Sequence, residues 1–273
     1  MKAFEIGAKE TIVFYLHGLR GHAFAQKNSL QHIVRNVGVS VVSLELPGHG
    51  ADAVQDHCMV PEFTEIVESI KQEVRQQSMR AEQVIFIGYS FGASLMALAA
   101  YDLYKDESFK PDVAGYIGIS AGFDVGHNVP PWQLALNKIV APISRYLFDN
   151  IRPLSRLLTI REMNVELISP DLMVQNSIYH DELVYKGRIP LNTSAQVYRC
   201  GLKAQSILND MLIPIMLLHS LDDEIALAPD PQQFDQHIKV RLFKKLRHNC
   251  IDGLVREAVV ARKAITEFIA HKL

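Results

Sequence analysis

A chain of 273 residues, 48 % hydrophobic and 21 % charged, is long enough for one large domain and ordinary in composition for a globular protein. A formal net charge of −2, from 28 basic and 30 acidic residues, gives no electrostatic case for nucleic acid or for an anionic membrane. No apolar run approaches the ~20 residues needed to cross a bilayer. Cys58, Cys200 and Cys250 lack metal-ligand spacing, and Met1-Lys2-Ala3-Phe4-Glu5 lacks an apolar signal core, so the chain reads as a cytoplasmic protein with reduced thiols.

Thr11–Leu16 is the first apolar run of strand length, and the glycine-bearing loop His17-Gly18-Leu19-Arg20-Gly21 follows it. Val39–Leu44 is a second strand, closing on Pro47-Gly48-His49-Gly50. Phe63–Gln77 places Phe63, Ile66, Val67, Ile70 and Val74 at the three-and-four spacing of a helix face. Gln83–Ile87 is a buried strand that leads into Gly88-Tyr89-Ser90-Phe91-Gly92 and then a helical run, Ala93–Ala100. Val113–Ser120, Ile213–His219 and Lys239–Phe243 are further strands, and Gly253–His271 is a closing helix. This alternation predicts an α/β fold with a mainly parallel sheet flanked by helices. It stops between about Phe123 and Asn209, where helical pieces such as Trp132–Leu147 and Ser194–Leu208 are separated by proline and glycine. The stretch reads as a helical cap inserted between sheet strands, giving a core of residues 1–122 and 210–273 and a cap of residues 123–209. Trp132, Leu136, Ile139 and Val140 are among the cap residues that either line an acyl pocket or pack on the core.

A strand, a sharp turn and a helix form the context in which G-x-S-x-G makes a nucleophile elbow, with Ser90 exposed above the sheet. A serine hydroxyl needs a base, and the base needs an orienting acid. In such a fold the chain order is Ser, acid, His. The strand Ile213–His219 runs into Ser220-Leu221-Asp222-Asp223-Glu224, which offers three carboxylates. The next strand is followed by His248, the candidate base. His219 sits inside a strand end and reads as structural, His237 falls at the wrong end of the sheet, and His17 and His49 read as loop-shaping or substrate-contacting residues. Two backbone N–H groups complete an oxyanion site: Phe91, just after the nucleophile, and Leu19, in the loop after the first strand. A serine at the elbow points to acyl chemistry through a covalent ester, which requires no metal or organic cofactor.

His17-Gly18, Glu45-Leu46-Pro47-Gly48-His49-Gly50, the elbow, the Asp223 loop and His248 together resemble the serine-hydrolase branch of the α/β-hydrolase fold, across nearly the whole chain. Tyr179-His180-Asp181-Glu182-Leu183-Val184-Tyr185-Lys186-Gly187-Arg188-Ile189 resembles the segment that ends the cap of monoglyceride lipases and related lysophospholipases. The resemblance implies hydrolysis of a carboxylic ester with an apolar acyl chain. It selects Asp223 over Asp222 as the acid, because the family's His/Gln-Gly-x-x-Asp pattern aligns with His219-Ser220-Leu221-Asp222-Asp223. Glu45 stands where the family carries Asp, Ala51 where it carries Ser, and Ser220 and Ala93 where it carries glycines. The expected substrate is a small-molecule acyl ester, with no nucleic-acid partner and with transient membrane-surface contact allowed. An acyl thioesterase would use the same triad. A carbon–carbon bond hydrolase or a non-catalytic binding protein would share the same fold.

Overall fold

A computed structural model describes residues 11–35, 37–53, 58–123, 135, 139, 159, 160 and 162–273. Its main sheet is built from β1 (Thr11–Leu16), β2 (Ser40–Leu44), β3 (Gln83–Tyr89), β4 (Asp112–Ile119), β7 (Ile215–Ser220) and β8 (Ile238–Phe243). The strand order is β2-β1-β3-β4-β7-β8, and every neighbouring pair is parallel. A separate antiparallel pair joins β5 (Thr159–Ile160) to β6 (Ile189–Pro190). The helices are α1 (Lys27–Arg35), α2 (Phe63–Gln77), α3 (Phe91–Lys105), α4 (Leu172–His180), α5 (Leu191–Ile207) and α6 (Arg256–Ala270).

The inner strands β1, β3, β4 and β7 are buried along nearly their whole length because both faces of the sheet are covered, whereas the edge strand β8 exposes Lys239 and Arg241. Along β1 and β3 the period of two sends alternate residues to opposite layers. Phe14, Leu16, Val84 and Phe86 join one core cluster with residues of α2, α3 and α5. Val13, Tyr15, Ile85 and Ile87 join the other with residues of α1 and α6. Helix α3 is buried along nearly its whole length, and its alanines let it lie close to the sheet. Tyr116 on β4 fastens it by donating its hydroxyl proton to the Ala93 carbonyl at 2.8 Å.

The expected strands and helices recur among the described residues with ends shifted by up to five residues, the largest shift being the helix expected over Ala93–Ala100, which runs on to Lys105. The strand expected from Ile213 starts at Ile215, after Pro214, which has no N–H to give the ladder. The closing helix starts at Arg256 rather than Gly253, whose φ of +89° is left-handed. Helix α1, for which no expectation was drawn, covers β1 and β2 with Leu30, Ile33 and Val34. The expected helix Ser194–Leu208 is α5, three residues longer at its start, and it contributes Cys200, Ala204 and Ile207 to the main core. The expected helix Trp132–Leu147 lies outside the described residues except for Ala135 and Ile139, and Ile139 is 66 % exposed.

Candidate active site

Parallel strands place all their C-terminal ends along one edge, where loops converge into a site. Ser90 follows β3, Asp223 follows β7 and His248 follows β8. These three, far apart in the chain, form one hydrogen-bonded line. The Ser90 Oγ lies 2.7 Å from His248 Nε2, and His248 Nδ1 lies 2.8 Å from Asp223 Oδ2. Asp223 accepts through Oδ1 from the N–H groups of Ile225 at 2.8 Å and Ala226 at 3.0 Å. With the carboxylate so fixed, His248 carries its hydrogen on Nδ1 and presents a free Nε2 lone pair to the serine hydroxyl. Asp223 and His248 are both buried. Burial pushes the Asp223 carboxyl upward, but the neighbouring His248 and His219 outweigh it and hold the group well below the usual carboxylate range.

The other two candidate acids face elsewhere. Asp222 and Glu224 are exposed, and Asp222 accepts the Lys245 N–H at 2.6 Å. His219 stands closer to the chemistry than its strand-end position suggests. Its Nε2 donates to the Ala226 carbonyl at 3.0 Å and lies 3.0 Å from Asp223 Oδ2. The spacing of four residues between His219 and Asp223 was the signal available in the sequence. Arg247 turns away from His248 and donates to the Glu166 carbonyl.

The elbow is sterically enforced. Ser90 sits at φ 56°, ψ −122°, a conformation that an L residue avoids. A Cβ on Gly88 would come within 2.4 Å of Ala93 Cα, and one on Gly92 within 2.3 Å of the His17 carbonyl oxygen. The two motif glycines thus let the turn close against its own helix and against the loop after β1. Gly18 in that loop is crowded too, since its Cβ would lie 2.8 Å from Ser90 Cβ. The N–H groups of Leu19 and Phe91 have no hydrogen-bond acceptor among the described residues. Both residues line a cavity of about 210 Å³ beside Ser90 and His248, together with Leu167, Ile168, Ile178 and Val184.

His17 and Glu45 shape the loop from behind. His17 Nδ1 donates to the Gly18 carbonyl at 2.8 Å, and its Nε2 lies 2.5 Å from Glu45 Oε1. Glu45 also accepts the Ala23 N–H at 3.2 Å. His49 packs against His17 with ring centroids 5.5 Å apart. Burial, reinforced by His17, pushes its imidazole down to about 3. Residues from the stretch before β6 also reach the site, which the sequence did not signal. The N–H groups of His248 and Asn249 donate to the carbonyls of Leu167 at 3.3 Å and Ile168 at 2.7 Å.

The molecule resembles solved structures across its whole length. A monoacylglycerol lipase of Paleococcus ferrophilus superposes with a TM-score of 0.77 at 18 % identity, covering 100 % of both chains. A soluble variant of monoglyceride lipase from Saccharomyces cerevisiae, in complex with a substrate analog, gives 0.77 at 14 % identity, covering 99 % of this chain and 91 % of the other. A highly thermostable carboxyl esterase from Bacillus coagulans gives 0.69 at 15 % identity, covering 98 % and 93 %. At these identities the likeness establishes the fold. No curated protein matches the chain by sequence. The family model described as Hydrolase_4, serine aminopeptidase, S33, matches residues 7–253. A model matched from before the first strand to beyond His248 leaves no element of the site outside it, and the chain belongs to this family of α/β-hydrolases.

Proposed function

We propose that the protein is a serine carboxylic-ester hydrolase acting on esters with an apolar acyl chain, of the monoacylglycerol lipase, lysophospholipase or carboxylesterase kind. The observation that carries this reading is the line Ser90–His248–Asp223 opening onto an apolar cavity. The family's description names an aminopeptidase, which needs acidic groups to seat a substrate ammonium. Among the described cavity residues the only carboxylate is Glu162, which is exposed and paired with Arg188 at 3.3 Å, so the lining favours an acyl chain.

In the mechanism, Ser90 Oγ attacks the ester carbonyl carbon while His248 Nε2 takes its proton. Asp223 holds the ring and balances the imidazolium charge. The Leu19 and Phe91 N–H groups stabilise the oxyanion. His248 then protonates the leaving alcohol as the C–O bond breaks, leaving the acyl group on Ser90. Water, activated by the same imidazole, releases the acid and restores Ser90. Residues 123–209 serve as the cap over a core of residues 1–122 and 210–273, with α5 anchoring it on α3. Leu172 and Met173, exposed at the start of α4, support transient contact with a lipid surface. Three buried free cysteines are in keeping with a cytoplasmic location.

The test is hydrolysis of p-nitrophenyl esters from acetate to palmitate, with Ser90→Ala as control. Turnover within one range of chain lengths, lost in the variant, is the expected result. An inert wild type overturns the ester reading, and preference for thioesters over matched esters would reassign the protein as a thioesterase.

A further inference from the structure

Acyl transfer requires the Leu19 N–H to be aimed at the oxyanion, so what holds the loop after β1 matters to the rate. That loop is tied to the sheet on one side, where Ser43 Oγ donates to the Ala23 carbonyl at 2.6 Å and Ala23 N–H reaches Glu45. Its tip is tied to a different part of the molecule. The Tyr185 N–H donates to the Arg20 carbonyl at 3.0 Å. His22 Nε2 lies 2.8 Å from Asp181 Oδ2. Both partners belong to the segment between α4 and β6.

The hydrogen in the His22–Asp181 contact can be placed. His22 Nδ1 accepts the Phe24 N–H at 3.2 Å, so the neutral ring carries its hydrogen on Nε2 and donates it to Asp181. The His22 side chain is 4 % exposed and that of Asp181 30 % exposed. Asp181 divides its two oxygens, because Oδ1 accepts the Leu183 N–H at 2.9 Å and thereby forms the local turn. The turn presents Tyr185 to Arg20, and Arg20 itself sits at φ +70°. A non-glycine residue in that region is held there by its surroundings. Neither His22 nor Asp181 lines the cavity, whereas Leu19 and Val184 on either side of the contact do.

We propose that Asp181 is a positioning residue for the oxyanion site: by holding His22 it fixes the peptide that carries the Leu19 N–H, so the stem of the cap governs the rate of acyl transfer as well as the shape of the pocket. The proposal rests on the reading of Ser90 as nucleophile and Leu19 as oxyanion donor. Asp181 touches no substrate in this arrangement, so its loss falls on kcat and spares KM.

The experiment compares Asp181→Asn, His22→Asn and the double variant. Asn at 181 keeps one acceptor for the Leu183 turn and gives up the bond to His22. With that oxygen on the Leu183 N–H, the amide turns its own N–H toward His22 Nε2, which would force the ring hydrogen onto Nδ1 against the Phe24 N–H; the flipped amide would accept from Nε2 only by setting its N–H against that of Leu183. Asn at 22 keeps an acceptor near the Nδ1 position and stops short of Asp181. Turnover of p-nitrophenyl acetate is measured, with folding checked by circular dichroism. Each single variant is expected to lose about tenfold in kcat at unchanged KM, less than the loss of a whole donor. The double variant should lose no more than either single one. Wild-type kcat, a loss confined to KM, or additive losses overturn the proposal. If Asp181→Asn does not fold, Asp181→Ser keeps the turn acceptor and takes its place. If wild type hydrolyses no ester while Ser90 still reacts with a fluorophosphonate, the ester reading fails. The same variants are then compared by labelling rate, which also places charge in the oxyanion site, and equal rates overturn the positioning role.

Discussion

Asp223→Asn separates a catalytic carboxylate from a merely buried one. In the native arrangement Asp223 Oδ1 takes two backbone N–H groups and Oδ2 faces His248 Nδ1. An asparagine is isosteric but has a single acceptor oxygen, which the N–H groups of Ile225 and Ala226 claim. Its amide hydrogens then face His248 and force the imidazole hydrogen onto Nε2. In that tautomer the ring cannot take the Ser90 proton. The same exchange in a serine protease lowers kcat about 10⁴-fold with geometry intact, which is about 5 kcal/mol of barrier at 1.36 kcal/mol per factor of ten. The assay is kcat on p-nitrophenyl butyrate, alongside a urea unfolding curve at neutral pH. A loss below tenfold in a folded variant would refute the placement of Asp223 in the triad. The same residue has a signature in acid. Its folded carboxyl is held below the unfolded value, so its contribution to stability is present above about pH 4 and is lost as pH falls toward its folded value. Asp223→Asn should remove that part of the acid transition.

The remaining predictions concern the groups around the triad. His49 is held down to about 3 while the unfolded ring titrates near 6.5, so the unfolded chain binds the extra proton between those limits. Stability should therefore decline below about pH 6.5 with a slope of up to about 1.4 kcal/mol per pH unit from this group. His49→Asn, which keeps a donor toward the Pro47 carbonyl, should flatten that slope in urea midpoints measured at pH 7 and pH 5, and an unchanged slope would exclude His49 as its source. Gly92→Ala sets a methyl against the carbonyls of His17 and Leu16 and should cost about 3 kcal/mol, the upper end for overpacking. Gly21→Ala, whose nearest neighbour would lie at 3.3 Å, should be mild, and equal effects in thermal unfolding would contradict the packing of the elbow. Burial pushes the Cys58 and Cys250 thiols up to about 12 and that of Cys200 well above the usual thiol value, so none should react with iodoacetamide at neutral pH until the protein is unfolded. Rapid alkylation of the native protein would refute this.

What was legible in the sequence was what is written in consecutive residues. The apolar runs of β1, β3 and β7 are of strand length and alternate with helical patterns, so they read as buried strands, and the elbow carries its own glycines. The order of Ser90, Asp223 and His248 follows once the strands are in place. Less legible were contacts whose partners are distant in the chain. His219 was placed as a structural residue by its position in a strand, and its nearness to Asp223 emerges only when the chain turns after Ser220 and brings Ala226 back beneath the ring. The bonds from Leu167 and Ile168 to the His248 loop use backbone carbonyls, which have no residue-type signature at all. The path of α5 was hidden by its mixed composition, because its buried face is made of Thr193, Gln196 and Cys200 as well as aliphatic side chains.

The elbow shows why such non-local contacts are needed. A serine at φ 56° costs on the order of 1–3 kcal/mol and would relax if it were held by its neighbours alone. Three hydrogen bonds pin it: its own N–H to the Ile119 carbonyl at 2.9 Å, and its carbonyl to the N–H groups of Ala93 at 3.0 Å and Gly122 at 3.2 Å. Two of these come from β4 and the turn beyond it. The strain is thus carried by the sheet, while the N–H groups of Leu19 and Phe91 keep no acceptor among the described residues. Donors whose bonds were already satisfied would have to break them as charge developed on a substrate oxygen. On the proposed reading, donors held open by a strained turn on one side, and by a loop clamped at both ends on the other, stabilise that charge without reorganising.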